Sequence, residues 1–160
     1  MKKTVLALAA SLLLLAACDS SSTDVNGAGG AGMGNGSGTT GYLGKNADGT
    51  NVTDRVFFGT DSSVVDSDGQ ATLSNQATWL KANSSVNVTV EGHADERGTR
   101  EYNIALGERR ASAAKNYLVS QGISAGRISV VSYGKERPAA TGNDDGAWSQ
   151  NRRAVTVIAN

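Results

Sequence analysis

Apolar positions fall into three regimes along the 160 residues. From Val5 to Ala17 they form an almost unbroken run behind Met1-Lys2-Lys3, from Asp19 to Thr50 they are sparse, and from Asn51 onward they recur in periodic blocks. The periodic blocks predict strands alternating with helices. Arg55-Val56-Phe57-Phe58 reads as a short strand buried on both faces by its aromatic and branched residues, and Gly59 to Ser63 turns the chain. Ser67 or Asp68 can cap a helix reaching about Asn83, with Leu73, Ala77 and Leu80 on one face and Trp79 beside them. Val86, Val88 and Val90 alternate with Asn87, Thr89 and Glu91, the pattern of a half-buried strand. A second helix runs from Thr99 or Arg100 to Gln121, where Gly122 suits the left-handed position that ends helices. Ile128 to Tyr133 is a third strand, Pro138 and Gly142 to Gly146 belong to a long loop, Ala147 to Arg152 form a helical turn, and Ala154 to Ile158 is the last strand. This order predicts an α+β fold: a two-layer sandwich, one sheet with helices on one face.

The run ending at Ala17 is shorter than the roughly 20 residues a membrane-spanning helix needs, so residues 1–17 read as a signal peptide. It closes on Leu15-Ala16-Ala17-Cys18, small residues directly before the only cysteine, which resembles the lipobox of bacterial lipoproteins. Cys18 is then the expected lipidation site, and several acyl chains anchor a protein where one does not. A single cysteine also excludes an intrachain disulfide and a thiolate metal cluster. Residues 18–50 read as a lipidated cysteine and a flexible Gly/Ser-rich linker, with 51–160 as the folded domain. Fully extended, the 32 residues from 19 to 50 span at most about 110 Å. Tyr42 and Leu43, the sizeable apolar neighbours in the linker's second half, are expected to pack on the domain edge. The formal net charge is zero; losing Lys2 and Lys3 with the leader leaves 13 basic against 15 acidic residues, a balance of −2. Such a surface gives no reason to expect nucleic acid.

Charge is placed unusually in Glu91 to Ala114. Arg110 lies four residues from Leu106 and three from Ala113, on the stripe that also carries Ala114, Tyr117 and Leu118. A guanidinium on an inward stripe needs a partner, and Asp95, in the loop before the helix, is the candidate in sequence. Two readings follow: an internal Asp95–Arg110 salt bridge, or two charges flanking a cleft that takes a ligand carrying both. Catalysis is poorly served. His93 is the only histidine, and with Asp95 and Glu96 it makes a set poor in metal ligands. Glu91, Asp95 and Glu96 are too close in sequence to bracket one glycosidic bond. His93 is expected to be a hydrogen-bonding residue at the strand end, and Gly92 and Gly98 to let the loop turn tightly.

Gly92-His93-Ala94-Asp95-Glu96-Arg97-Gly98, followed by Tyr102-Asn103-Ile104-Ala105-Leu106-Gly107-Glu108-Arg109-Arg110-Ala111, resembles the peptidoglycan-binding signature of the OmpA-like domain family. With Ser132-Tyr133-Gly134-Lys135-Glu136-Arg137-Pro138 it is most similar to the peptidoglycan-associated lipoprotein (Pal) branch, over roughly Asp54 to Ile158. The resemblance implies a four-stranded mixed sheet and a non-enzymatic domain without cofactor or metal. It also implies noncovalent binding of peptidoglycan through the meso-diaminopimelate of its stem. On the matching positions Arg110 would grip the carboxylate of that zwitterion and Asp95 its ammonium. Asp61, Arg97, Asn103, Leu106 and Arg152 would complete the site; for Arg152 the closing Asn151-Arg152-Arg153 leaves either arginine near the cleft. The resemblance further implies TolB and other Tol-system proteins as partners, a place on the inner leaflet of the outer membrane facing the periplasm, and a part in envelope integrity and outer-membrane constriction during division. Asp19 resembles the enterobacterial signal for inner-membrane retention, so the destination membrane stays open here.

Overall fold

The computed structural model describes residues 41–159. The expected signal peptide, the lipidation site Cys18 and the linker as far as residue 40 lie outside the described residues.

The segment Gly41–Thr50 is corrected by the structure, since the expected flexible linker there is part of a hairpin. Strand β1 (Tyr42–Lys45) pairs antiparallel with β2 (Asn51–Thr53). Leu43 and Val52 are buried in the core, and Gly44 lies so close to the Trp79 indole that a Cβ there would be 2.7 Å from Nε1. Leu43 thus packs as expected, whereas Tyr42 is half exposed.

Four strands form the main sheet in the order β3-β6-β4-β5, with β3 (Arg55–Phe57), β4 (Val88–His93), β5 (Ile128–Gly134) and β6 (Arg153–Ile158). Strand β4 runs parallel to β5 and antiparallel to β6, which in turn is antiparallel to β3. The sheet is therefore mixed, and helices α1 (Ser67–Ala82) and α2 (Arg100–Ser120) pack on it. Alternation decides which side chains meet them: Val88 and Val90 join Leu73, Ala77, Leu80, Ala111, Ala114 and Leu118 in one apolar cluster. Val56 belongs to that cluster while Phe57 is 47% exposed, so β3 is buried on one face and not on both. Buried Gln76 of α1 is bonded at both ends of its amide, donating Nε2 to the Thr53 carbonyl at 2.8 Å and accepting from Thr156 Oγ1 at 2.8 Å.

Helix ends follow local chemistry. Asp66, not Ser67 or Asp68, caps α1 by accepting from the Gly69 amide at 2.8 Å. Thr99 caps α2 by accepting from Tyr102 N, and Gly122 beyond its end has φ +93°. The last helix, α3 (Asp145–Asn151), starts two residues earlier than its apolar content suggests, because Asp144 caps it through the Ala147 amide. At the centre, β4 and α2 meet backbone to backbone. A Cβ on Gly92 would lie 1.9 Å from the Gly107 carbonyl oxygen, and one on Gly107 2.3 Å from Ser132 Oγ. Gly92 is thus a close-approach residue within the strand, not a turn residue.

Candidate binding cleft

Strand β4 delivers the chain at His93 into a loop, 94–99, whose shape is fixed from several sides. Ala94 N donates to the Gly134 carbonyl at 2.8 Å. Gly98 has φ +95°, a conformation that L side chains avoid. Buried Asn103, on the first turns of α2, donates Nδ2 to the Arg97 carbonyl at 2.9 Å, and Lys135 Nζ donates to the carbonyls of Glu96 and Gly98. The loop faces the segment after β3, where Asp61 holds a left-handed φ of +52° and accepts from the Tyr102 hydroxyl. Between loop and segment lies an open cleft of about 290 Å³ lined by Thr60, Asp61, Asp95, Arg97, Gly98, Tyr102, Asn103 and Leu106.

Asp61, Asp95, Arg97, Asn103 and Leu106 are thereby brought together. Arg110 is not on the wall. Its side chain is fully buried, and it donates Nε to the Ser62 carbonyl at 2.8 Å, Nη1 to that of His93 at 2.9 Å and Nη2 to that of Gly59 at 3.0 Å. Of the two readings of this pair, the internal Asp95–Arg110 salt bridge is not formed. Three backbone acceptors satisfy the guanidinium in place of a carboxylate, using three of its five N–H groups. Burial brings its pKa down to about 10, against the pull of the Asp95 charge, and leaves it protonated at neutral pH. Arg110 therefore ties the 59–62 segment to the end of β4, one turn of helix behind Leu106.

Asp95 pairs elsewhere. Its Oδ2 is 2.7 Å from Arg97 Nη2 and 3.5 Å from Arg152 Nη1, and its Oδ1 accepts from Arg97 N and Nε. Burial raises the carboxyl's pKa, but the Arg97 hydrogen bonds and charge, with Arg152, outweigh it and hold the group below its ordinary value. Of the two closing arginines, Arg152 is the one beside the cleft, braced through Nε to the Phe58 carbonyl at 3.0 Å. Arg153 is buried near Glu91 and donates Nη2 to the Arg137 carbonyl at 3.2 Å.

His93 does not act as the expected hydrogen-bonding side chain. Both ring nitrogens are buried without a hydrogen-bond partner, and Glu91 Oε2, at 3.7 Å from Nε2, is too distant for one. What His93 contributes to the site is its carbonyl, held by Arg110. Neither Glu91 nor Glu96 lines the cleft; Glu96 accepts from the Trp148 indole at 3.0 Å. Among the described residues no cluster of three or more metal-binding side chains occurs. Sequence reasoning missed Tyr102 and Trp148. The Tyr102–Asp61 contact spans 41 positions and the Trp148–Glu96 contact 52, with no local pattern to announce either.

The OmpA family model matches residues 57–152. The chain is 53% identical over 147 residues to a peptidoglycan-associated lipoprotein of Rhizobium meliloti, covering 91% of this chain and 82% of that protein. It is 51% identical to that of Brucella melitensis, with 91% and 86% covered. Among solved structures, the peptidoglycan-associated lipoprotein from Burkholderia pseudomallei superposes with a TM-score of 0.65 at 41% identity, over 67% of this chain and 91% of that one. The C-terminal domain of Helicobacter pylori MotB gives 0.62 at 20% identity over 67% and 84%, a likeness of fold alone.

Proposed function

Since the chain belongs to the OmpA family, alongside the peptidoglycan-associated lipoproteins, we propose that it binds peptidoglycan without covalent attachment and tethers the outer membrane to the wall. The family is non-enzymatic, and the work is done by binding. The observation that carries the reading is the Asp95 cleft: one small open space whose carboxylate meets Arg97 at 2.7 Å and Arg152 at 3.5 Å and feels the buried charge of Arg110. A stem ending in meso-diaminopimelate offers an ammonium and a carboxylate on one carbon. Asp95 accepts from the ammonium, and the carboxylate turns to the arginines. A ligand lacking one charge strands a desolvated partner, which makes the arrangement selective. Leu106 forms the apolar floor, and Asn103 holds the loop.

In this reading Arg110 keeps its place as a ligand residue with a condition attached. Two of its N–H groups remain for a carboxylate, and contact requires the 59–62 segment to draw aside. Lipid at Cys18 would anchor the chain on the inner leaflet of the outer membrane, facing the periplasm. TolB and the other Tol proteins would be its protein partners, with constriction at division as their joint task.

Sedimentation of the full-length chain in detergent with purified diaminopimelate-type sacculi tests the proposal. Wild type is expected in the pellet, and Asp95→Ala, folded by circular dichroism, in the supernatant. Pelleting of neither would replace wall binding with protein docking. Cys18→Ser, expressed in cells, is expected to leave the membrane fraction if the anchor is as proposed.

A further inference from the structure

We infer that Arg97 is an internal competitor for Asp95, parked on the Trp148 ring, so that a ligand enters the cleft by exchanging one internal ion pair for two new ones. The inference rests on the wall-binding reading and adds to it a gate and a positioning residue. An ammonium approaching Asp95 meets a carboxylate whose two oxygens are already engaged, Oδ1 by the Arg97 amide at 3.1 Å and Nε at 3.2 Å, Oδ2 by Arg97 Nη2 at 2.7 Å and, more loosely, by Arg152 Nη1 at 3.5 Å. The partners are two positions apart in the chain, so this pair forms from the loop alone. The same Nη2 lies 3.5 Å from Thr60 Oγ1 on the opposite wall, and the Arg97 side chain is 40% exposed. It crosses the mouth of the cleft.

Something must keep a long, half-exposed side chain there, since its rotamer entropy favours the solvent. Trp148 does so. The Arg97 guanidinium carbon sits 4.2 Å from the ring centroid, and the indole is itself fixed by its Nε1 bond to Glu96 Oε1. On this geometry a ligand with an ammonium alone displaces Arg97 from Asp95 and leaves the guanidinium only the weaker pull of Asp145 and Glu96. A ligand with a carboxylate alone draws Arg97 off and leaves Asp95 only the longer Arg152 contact at 3.5 Å. A zwitterion supplies both replacements at once. Arg97 is thus a specificity-determining residue, and Trp148 a positioning residue acting through it.

The test uses the full-length chain in detergent with Trp79→Phe, so that Trp148 is the sole tryptophan. Two probes are titrated by fluorescence and calorimetry: the stem tripeptide ending in meso-diaminopimelate, and the same stem ending in lysine, which has the ammonium without the carboxylate. The diaminopimelate stem is expected to bind more tightly and to change Trp148 emission as Arg97 leaves the ring. With Arg97→Gln the lysine stem should bind roughly fivefold more tightly, since a half-exposed ion pair no longer opposes it, while the other stem gains nothing. The ratio between stems therefore narrows. Trp148→Leu should narrow it in the same direction with melting temperature unchanged. If wild type binds the diaminopimelate stem but Arg97→Gln weakens both stems equally or leaves their ratio alone, the exchange is wrong. If wild type binds neither stem, wall binding itself falls.

Discussion

Gly92 on β4 and Gly107 on α2 are in direct backbone contact: a Cβ on the first would sit 1.9 Å from the carbonyl oxygen of the second. No side chain fits, and neither element can retreat, because β4 is hydrogen-bonded on both edges. Gly92→Ala is therefore expected to cost about 3 kcal/mol or more, read by urea denaturation, as an overpacked core does. Gly126→Ala, whose Cβ would meet nothing nearer than Ser124 Oγ at 3.9 Å, should change stability by less than about 0.5 kcal/mol.

Arg110 should prove a stability residue first. Arg110→Leu leaves the buried His93 carbonyl and the part-buried Gly59 and Ser62 carbonyls without their donor, and an acceptor left unmet costs roughly 1 kcal/mol or more. A loss of about 3 kcal/mol in chemical denaturation is expected. A loss below about 1 kcal/mol would mean that the guanidinium is not holding the 59–62 segment.

The only histidine gives a clean pH readout. Burial lowers the His93 pKa from 6.5, Arg153 and Arg137 adding to that, and the nearby Glu91 does not fully compensate. The unfolded chain therefore binds a proton that the folded chain refuses. Stability contributed by neutral His93 is complete above the unfolded value near 6.5 and is lost as pH falls through the depressed folded value. A proton NMR titration should place the imidazole below 6.5. Denaturation midpoints should fall between pH 7 and 5.5, and less so in His93→Leu.

Leu43 tests the hairpin. It is 8% exposed within the core cluster, so Leu43→Ala is expected to cost about 2–3 kcal/mol by thermal or chemical melting. A residue in a loose linker would cost nothing measurable.

What could be read beforehand, and what could not, divides along physical lines. The second and third strands of the sequence pattern, and both long helices, were legible because valines at spacing two and leucines and alanines at spacing three and four carry their own geometry. Asp95 was legible as a loop carboxylate ahead of a capped helix. Its partner was not, because Arg97, two positions away, competes with Arg110 through ordinary side-chain reach, and sequence spacing does not rank the two. Arg110 was found as an inward charge, but its acceptors are main-chain oxygens of Gly59, Ser62 and His93, and a carbonyl has no letter in the sequence. The hairpin escaped notice because glycine, asparagine and threonine around Leu43 and Val52 have the composition of a linker; two apolar side chains are too few to show a period. Val56 and Phe57 look alike as strand formers, yet only one faces the helices.

The early start of the hairpin shortens the greatest distance at which the proposed lipid anchor can lie from the folded domain. With a lipid at Cys18, the residues between anchor and folded domain number 22, from 19 to 40, where the composition alone allotted 32. Their fully extended length falls from about 110 Å to about 75 Å. The volume within that limiting reach scales with its cube and shrinks to roughly one third. Whatever wall lies within it is met at a correspondingly higher local concentration.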